Sequence, residues 1–208
     1  MEIKRLEVGP LGTNCYIAFT EEEGRKVGVV IDPGAEAERI LAFLRREEIR
    51  VEHILLTHVH FDHILAVPEV REATGADVLA PRGEEAAFGD PQLSLLQMDG
   101  REEFSLTADR LLDDGEEITA GPLRFTVMNT PGHTAGSCCY LAGEVIFSGD
   151  TLFDGDIGRT DFPGGSFELL RRSLQRLCDL PGDYRVLPGH GENTTLARER
   201  AVNPYMAR

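Results

Sequence analysis

This sequence predicts an α/β fold of four layers, two sheets face to face with helices on their outer sides, an αββα sandwich. Three observations carry the prediction. Short apolar segments rich in β-branched residues recur in both halves, amphipathic helical stretches stand between and behind them, and no linker or composition shift divides the 208 residues. The chain therefore reads as a single domain over residues 1–208, long enough to bury a substantial core.

The order of elements follows from local patterns. Ile3 to Val8, Cys15 to Thr20 and Val27 to Ile31 read as strands of an antiparallel meander, separated by Gly9-Pro10-Leu11-Gly12 and by Glu21 to Gly24. Asp32-Pro33-Gly34 ends the third strand by removing a backbone donor and admitting an unusual turn. Ala37, Ile40, Leu41 and Leu44 recur at helical spacing, which predicts a helix over Glu36 to Glu48, and Val51 to Leu56 is a buried strand. A short helix over Leu65 to Ala73, a strand at Val78 to Ala80 and a helical turn at Gly83 to Phe88 come next. Gly89 to Asp114 has no clean period and reads as a long connection bordering the site. Strand patterns resume at Glu117 to Thr119, Leu123 to Met128, Ser137 to Leu141 and Val145 to Ser148. Ser166 is placed to cap a helix carrying Phe167, Leu170, Leu174 and Leu177, and Arg185 to Leu187 and Thr195 to Ala201 are a last strand and helix.

A formal net charge of −15 opposes the electrostatic attraction on which most nucleic-acid binding depends, so neither RNA nor DNA is expected as a partner. No uncharged apolar run approaches the length that spans a bilayer. The N-terminal segment alternates like a strand and lacks a signal-peptide core, which makes the cytoplasm the expected location. Cys15, Cys138, Cys139 and Cys178 have neither C-x-x-C spacing nor the density of a disulfide scaffold, so reduced, buried thiols are expected.

Chemistry concentrates in Thr57-His58-Val59-His60-Phe61-Asp62-His63, where three histidines and a carboxylate follow the end of a strand. On extended backbone His58 and His60 point the same way and converge on one ion. Asp62 and His63, where the chain turns into a helix, point differently and suit a second ion. Burying so many imidazoles without partners would be costly, so packing explains the string poorly. His133 in Thr-Pro-Gly-His, Asp150 in Ser-Gly-Asp-Thr and His190 in Leu-Pro-Gly-His each follow a strand and a glycine turn that presents a side chain at a sheet edge. Of six histidines only His53 falls outside these positions, inside a strand, where a satisfied structural histidine is expected. Five imidazoles and two carboxylates suffice for a pair of divalent ions.

With these motifs, Ile31-Asp32-Pro33-Gly34, Gly149-Asp150-Thr151-Leu152-Phe153, Ile157 to Gly165, and the tail Thr194-Thr195 to Asn203-Pro204-Tyr205, the sequence resembles the metallo-β-lactamase superfamily nearly end to end. Within it the chain is similar to small proteins of the glyoxalase II (hydroxyacylglutathione hydrolase) type. The resemblance implies that His58, His60 and His133 bind a first metal, that Asp62, His63 and His190 bind a second, and that Asp150 bridges them. It implies zinc as the default ion, with iron or manganese as alternatives.

The implied activity is hydrolysis of a small-molecule thioester such as S-D-lactoylglutathione by a metal-bridging hydroxide, with Asp62 orienting the hydroxide as well as ligating. The alternatives are a persulfide dioxygenase using one iron and a metal-stabilised binding module without catalysis. Arg159 is a candidate contact for an acidic substrate, with a surface salt bridge as the rival. Asp32 is a candidate to hold a ligand imidazole or the motif backbone, with a turn-forming Asp before Pro as the rival. Thr57 is expected to close the strand, and one of Cys138 and Cys139 to face the core. After His63 the family often has Gly-Gly where this chain has Ile64-Leu65-Ala66. Eighteen residues follow His190, so the helical domain that helps hold glutathione in full-length glyoxalase II is expected to be lacking.

Overall fold

The computed structural model describes residues 1–206. The first sheet contains β1 (Glu2–Val8), β2 (Thr13–Glu22), β3 (Arg25–Ile31), β4 (Ile49–Leu55), β5 (Asp77–Pro81) and β6 (Arg110–Leu112) in chain order. The second holds β7 (Glu117–Ala120), β8 (Leu123–Asn129), β9 (Cys138–Ala142), β10 (Val145–Gly149), β11 (Arg185–Pro188) and β12 (Thr194–Thr195), also in order. Helices α1 (Ala37–Arg46), α2 (Phe61–Ile64) and α3 (Val67–Thr74) follow strands of the first sheet. Helices α4 (Phe167–Cys178) and α5 (Leu196–Val202) belong to the second half.

Three apolar layers lie between these four. Cys15, Ile17 and Phe19 of β2 join Ile40 and Leu44 of α1 and Val67 and Val70 of α3 on one side of the first sheet. The alternate residues Tyr16 and Ala18 meet Phe125, Tyr140 and Phe147 between the sheets. Ile146 and Val186 pack with Leu170, Leu174 and Leu177 of α4 beyond the second sheet. Period-2 strands buried on both faces thus read as nearly continuous apolar runs. Leu170, Leu174 and Leu177 sit on one helical face, and Ser166 caps the helix by accepting from the Leu169 amide at 3.4 Å. Truncating the fully buried Leu174 to Ala would cost about 2–5 kcal/mol.

Strand direction is what positions the site. The β1–β2–β3 meander is antiparallel, whereas β3, β4, β5 and β6 run parallel and end at one edge. In the second sheet β9 is antiparallel to both β8 and β10, and β11 is parallel to β10, so β8, β10 and β11 also end together. The two edges meet through Cys138 N to Thr57 O at 2.9 Å and Asn14 N to Gly189 O at 2.7 Å.

Several elements differ from the sequence expectation. The segment over Gly89 to Asp114 is not wholly irregular: it includes a 3₁₀ turn at Leu96–Met98 and the edge strand β6, too short to show a period. The helix expected over Leu65 to Ala73 is found as α3 but starts two residues later, and Leu65 and Ala66, before Pro68, part it from the separate turn α2. Thr194–Thr195 pairs with β11 before Thr195 caps α5. Cys138 and Cys139 are both buried, one between the sheets and the other under α4, because both faces of β9 are covered. No disulfide occurs among the described residues, and no helix of the described chain is long and apolar enough to cross a membrane.

Candidate metal centre

All seven candidate ligands reach the common edge. His58 and His60 lie in the loop after β4, and Asp62 and His63 on the single turn of α2. His133 leaves β8, Asp150 leaves β10 and His190 leaves β11, each through a tight turn. Gly149, before Asp150, has φ +48, and a side chain there would run into Thr57.

Ligand atoms of His58, His60 and His133 lie within 4.8 Å of one another, as do those of Asp62, His63 and His190. The Asp150 carboxylate stands between the groups: Oδ1 is 3.5 Å from His63 Nε2, and Oδ2 is 3.5 Å from both His133 Nε2 and His190 Nε2. Asp62 Oδ2 is 3.2 Å from His190 Nε2 and accepts from Thr13 Oγ1 at 2.7 Å. His58 Nε2, His63 Nε2 and Asp150 Oδ1 are buried without a hydrogen-bond partner. Buried polar atoms are normally satisfied, and these orphans converge where cations would satisfy them. The donor set therefore fits a pair of divalent ions.

The back nitrogens explain why the lone pairs face inward. His133 Nδ1 lies 2.8 Å from the Arg159 carbonyl oxygen and His190 Nδ1 3.2 Å from that of Leu11. Carbonyls only accept, so both Nδ1 atoms carry a proton, which leaves Nε2 as the nitrogen that can ligate. His63 Nδ1 faces Asp32 Oδ2 at 3.1 Å with the same result. Thr57 Oγ1 donates to Asp32 Oδ2 at 2.6 Å and so must accept from His58 Nδ1 at 3.1 Å, which frees His58 Nε2. Asp32 thus orients one imidazole directly and another through Thr57. Its Oδ1 also accepts from the Thr57 amide at 2.8 Å. It performs both tasks considered for it, and Thr57 does more than close the strand. His60 is the exception, turning Nδ1 toward His133 Nε2 at 2.9 Å.

Electrostatics divide the imidazoles. Burial and neighbouring histidines push His58 and His60 well below the ordinary range, keeping them neutral and available as ligands. Burial alone would lower His63 too, but Asp62, Asp150 and Asp32 outweigh it and raise it to about 10, so without cations Nε2 carries a second proton that a metal ion would displace. Burial would raise Asp62, yet His63, a hydrogen bond from His190 in its doubly protonated, metal-free form and one from Thr13 hold it well below the carboxylate range.

Two buried carboxylates escaped sequence reading. Glu84, 2% exposed, accepts from Val59 N at 2.9 Å, Thr134 Oγ1 at 2.7 Å and Gly136 N at 2.9 Å, tying the His58–His60 loop to the His133 loop. Glu199, 0% exposed, accepts from Thr194, Gly155 and Asn203 and so holds the 153–157 segment against the C-terminal tail. Nothing in Arg-Gly-Glu-Glu marks Glu84, but the Thr-Thr to Asn-Pro tail contained the signal for Glu199. His53 lies outside the cluster as expected but is only half satisfied: Nε2 is 3.1 Å from the Thr119 carbonyl oxygen, while Nδ1 is buried without a hydrogen-bond partner.

A cleft of about 580 Å³ opens over the centre. It exposes His60, Asp62, His133, Asp150 and His190 at its floor, and its apolar walls include Phe61, Leu95, Met98 and Ile157. Leu95 and Met98 come from the segment expected to border the site, which is anchored there by Phe61 N to Ser94 O at 2.9 Å. Arg159 lines the cleft, yet it also makes the surface salt bridge weighed against a substrate role, pairing with Asp161 through two hydrogen bonds of 2.7 Å. Ile64, where glycine is frequent, is buried away from the cleft lining.

The pattern of the Metallo-beta-lactamase superfamily matches residues 8–190. The "Probable metallo-hydrolase YqgX" of Bacillus subtilis is 36% identical, over 99% of this chain and 98% of that protein. The "Hydroxyacylglutathione hydrolase GloC" of Haemophilus influenzae is 31% identical, over 99% and 98%. Among solved structures, the BLEG-1 B3 metallo-beta-lactamase superposes with a TM-score of 0.92 at 37% identity, covering 100% of both chains. TTHA1623, solved in a di-iron-bound form, gives 0.86 at 36% identity, covering 97% of this chain and 99% of that one. ETHE1 from Myxococcus xanthus gives 0.80 at 33%, covering 98% and 84%.

Proposed function

The chain belongs to the metallo-beta-lactamase superfamily, and from that premise we propose that it is a two-metal hydrolase of thioesters with zinc as its resident ion. One observation carries the reading: Asp150 stands between two groups of ligands with one oxygen turned to His63 and the other to His133 and His190. In this reading His58, His60 and His133 would hold one ion and Asp62, His63 and His190 the other, with Asp150 available to either. When bound there, a divalent pair would supply a nucleophile from water near neutral pH and an electrophile for the carbonyl oxygen.

The protein groups define the rest. Asp62, held ionised by its neighbours, is a weak base, so it orients the attacking water by accepting its hydrogen bond and does not keep the proton. Thr13 fixes the carboxylate for that task. The water oxygen bonds to the acyl carbon, the C–S bond breaks with its electron pair going to sulfur, and the proton ends on the products, a carboxylic acid and a thiol. Outside the candidate ligands, Arg159 is the one side chain with a polar proton among the described residues lining the cleft, and guanidinium does not give it up. A leaving group that departs as thiolate, needing no acid, suits such a site. The name of the Haemophilus relative points to the same bond type.

The test is thiol release from a panel of thioesters by protein loaded separately with zinc, manganese and iron, with Asp150→Ala as control. Turnover lost in the control, together with metal content near two per chain in the parent, is the expected result. One iron per chain with oxygen uptake on a persulfide, and no thioester cleavage, would replace this reading by that of an iron dioxygenase.

A further inference from the structure

The cleft walls carry information about the substrate that the metal centre does not. Leu11, Leu95, Met98, Phe153 and Phe162 face the opening from four separate segments of chain, so their apolarity is not the by-product of one element. Leu11 is 55% exposed and Met98 66%, a cost in water that a bound apolar group would remove.

Positive charge at the opening is already neutralised. The Arg159 guanidinium pairs with Asp161 and lies 3.9 Å from the Phe162 ring centroid. Arg101, in the adjoining hollow that shares Leu11, Phe61 and Asp62, pairs with Asp99 at 2.7 Å. Each cation is matched by a carboxylate two residues away, on a chain of net charge −15. A glutathionyl carrier brings two carboxylates and one ammonium, a net negative charge, and its carboxylates find no unmatched side-chain cation among the described residues of either hollow.

We propose that the substrate is a neutral thioester whose alkyl or aryl acyl group sits among Leu11, Met98, Phe153 and Phe162, hydrolysed to a carboxylic acid and an uncharged thiol. This rests on the thioesterase reading above and narrows it to a substrate class. Phe153 and Ile157 owe their place to the Glu199 and Asn203 hydrogen bonds to Gly155 N and the Asp156 carbonyl, which connects the tail motif to specificity.

The experiment compares kcat/KM of the zinc-loaded protein for acetyl, butanoyl and hexanoyl thioesters of N-acetylcysteamine and for S-D-lactoylglutathione. In parallel, calorimetry compares the non-hydrolysable S-hexyl-N-acetylcysteamine with S-methylglutathione. The expected result is a rise of about fourfold per added methylene until the cleft is filled, from ~0.8 kcal/mol per buried methylene. The hexanoyl ester should then exceed the glutathione ester, and only the hexyl thioether should bind. Asp161→Asn, which frees Arg159 at the exposed rim, should move the preference toward the glutathione ester by about threefold. A glutathione ester cleaved as well as or better than the hexanoyl ester, with no dependence on chain length, overturns the proposal. No cleavage of any thioester overturns it through the reading beneath, and the two failures are distinct because the second leaves every rate at the uncatalysed level.

Discussion

Replacing Asp32 by Asn exchanges one carboxylate oxygen for an amide nitrogen and should weaken both halves of the metal site. Asp32 has φ +50, a conformation that Asn also tolerates, so the backbone does not confound the experiment. The amide oxygen can still accept from the Thr57 amide. The new NH2 then points at Thr57 Oγ1 and His63 Nδ1, where two donors now end on Oδ2. To avoid donor facing donor, His63 must move its proton to Nε2, the nitrogen aimed at Asp62 and Asp150. Thr57, no longer required to donate to Asp32, ceases to fix the His58 tautomer. Loss of a partner that orients a ligand costs about 10–100-fold in metal affinity, or about 1.4–2.8 kcal/mol at 1.4 kcal/mol per tenfold. Competition against a chromophoric chelator, read as two zinc dissociation constants, is the assay. Two ions bound with unchanged affinities would refute the tautomer argument. Both constants rising by a similar factor would support the two-arm route, and loss confined to one site would break the link through Thr57.

Further outcomes follow from the same geometry. In metal-free protein, His58 and His60 have depressed values, so their contribution is full above the unfolded value near 6.5 and is lost as pH falls; urea unfolding should show stability dropping by up to about 2.7 kcal/mol per pH unit below that point. His63 has the opposite sign: raised to about 10, it contributes fully below 6.5 and loses about 1.4 kcal/mol per unit as pH climbs toward 10, so the metal-free protein should be most stable near 6.5 and a flat profile would contradict the assignment. Gly189→Ala places a Cβ inside the envelope of Asp150 Oδ1 and against His63 Cε1, so zinc stoichiometry should fall while far-ultraviolet dichroism stays native. Glu84→Ala leaves the buried Val59 and Gly136 amides without an acceptor, while the Thr134 hydroxyl keeps Ser137 Oγ, and should destabilise by about 2 kcal/mol or more in chemical unfolding.

Much of the site was legible because metal chemistry constrains residue type and spacing more tightly than packing does. His58-Val59-His60-Phe61-Asp62-His63 is visible as a ligand cluster without any fold, and the Gly-His and Gly-Asp turns declare strand ends. Glu84 was not legible: it acts by accepting from two main-chain amides and one hydroxyl on distant loops, and amides are not written in a sequence. Asp32 was half legible, since a carboxylate before Pro-Gly serves a turn as readily as an imidazole. The strand β6 was hidden because three residues at a sheet edge show no period.

Legible from the residues alone are the alternation that builds four layers, the five imidazoles and two carboxylates of the candidate centre, and an acidity that opposes the attraction nucleic-acid binding depends on. Those properties reside in side-chain type and near-neighbour spacing. The folded arrangement of strands sets which groups meet, because β4, β8, β10 and β11 must end at one junction before His58, His133, Asp150 and His190 come within a few ångströms. It also decided the direction of each lone pair, which depends on what stands behind the ring: the Arg159 and Leu11 carbonyls, the Asp32 carboxylate and the Thr57 hydroxyl. The pairing of Arg159 with Asp161 and the apolar walls above the centre are of the same kind, long-range or conformational facts that composition leaves open.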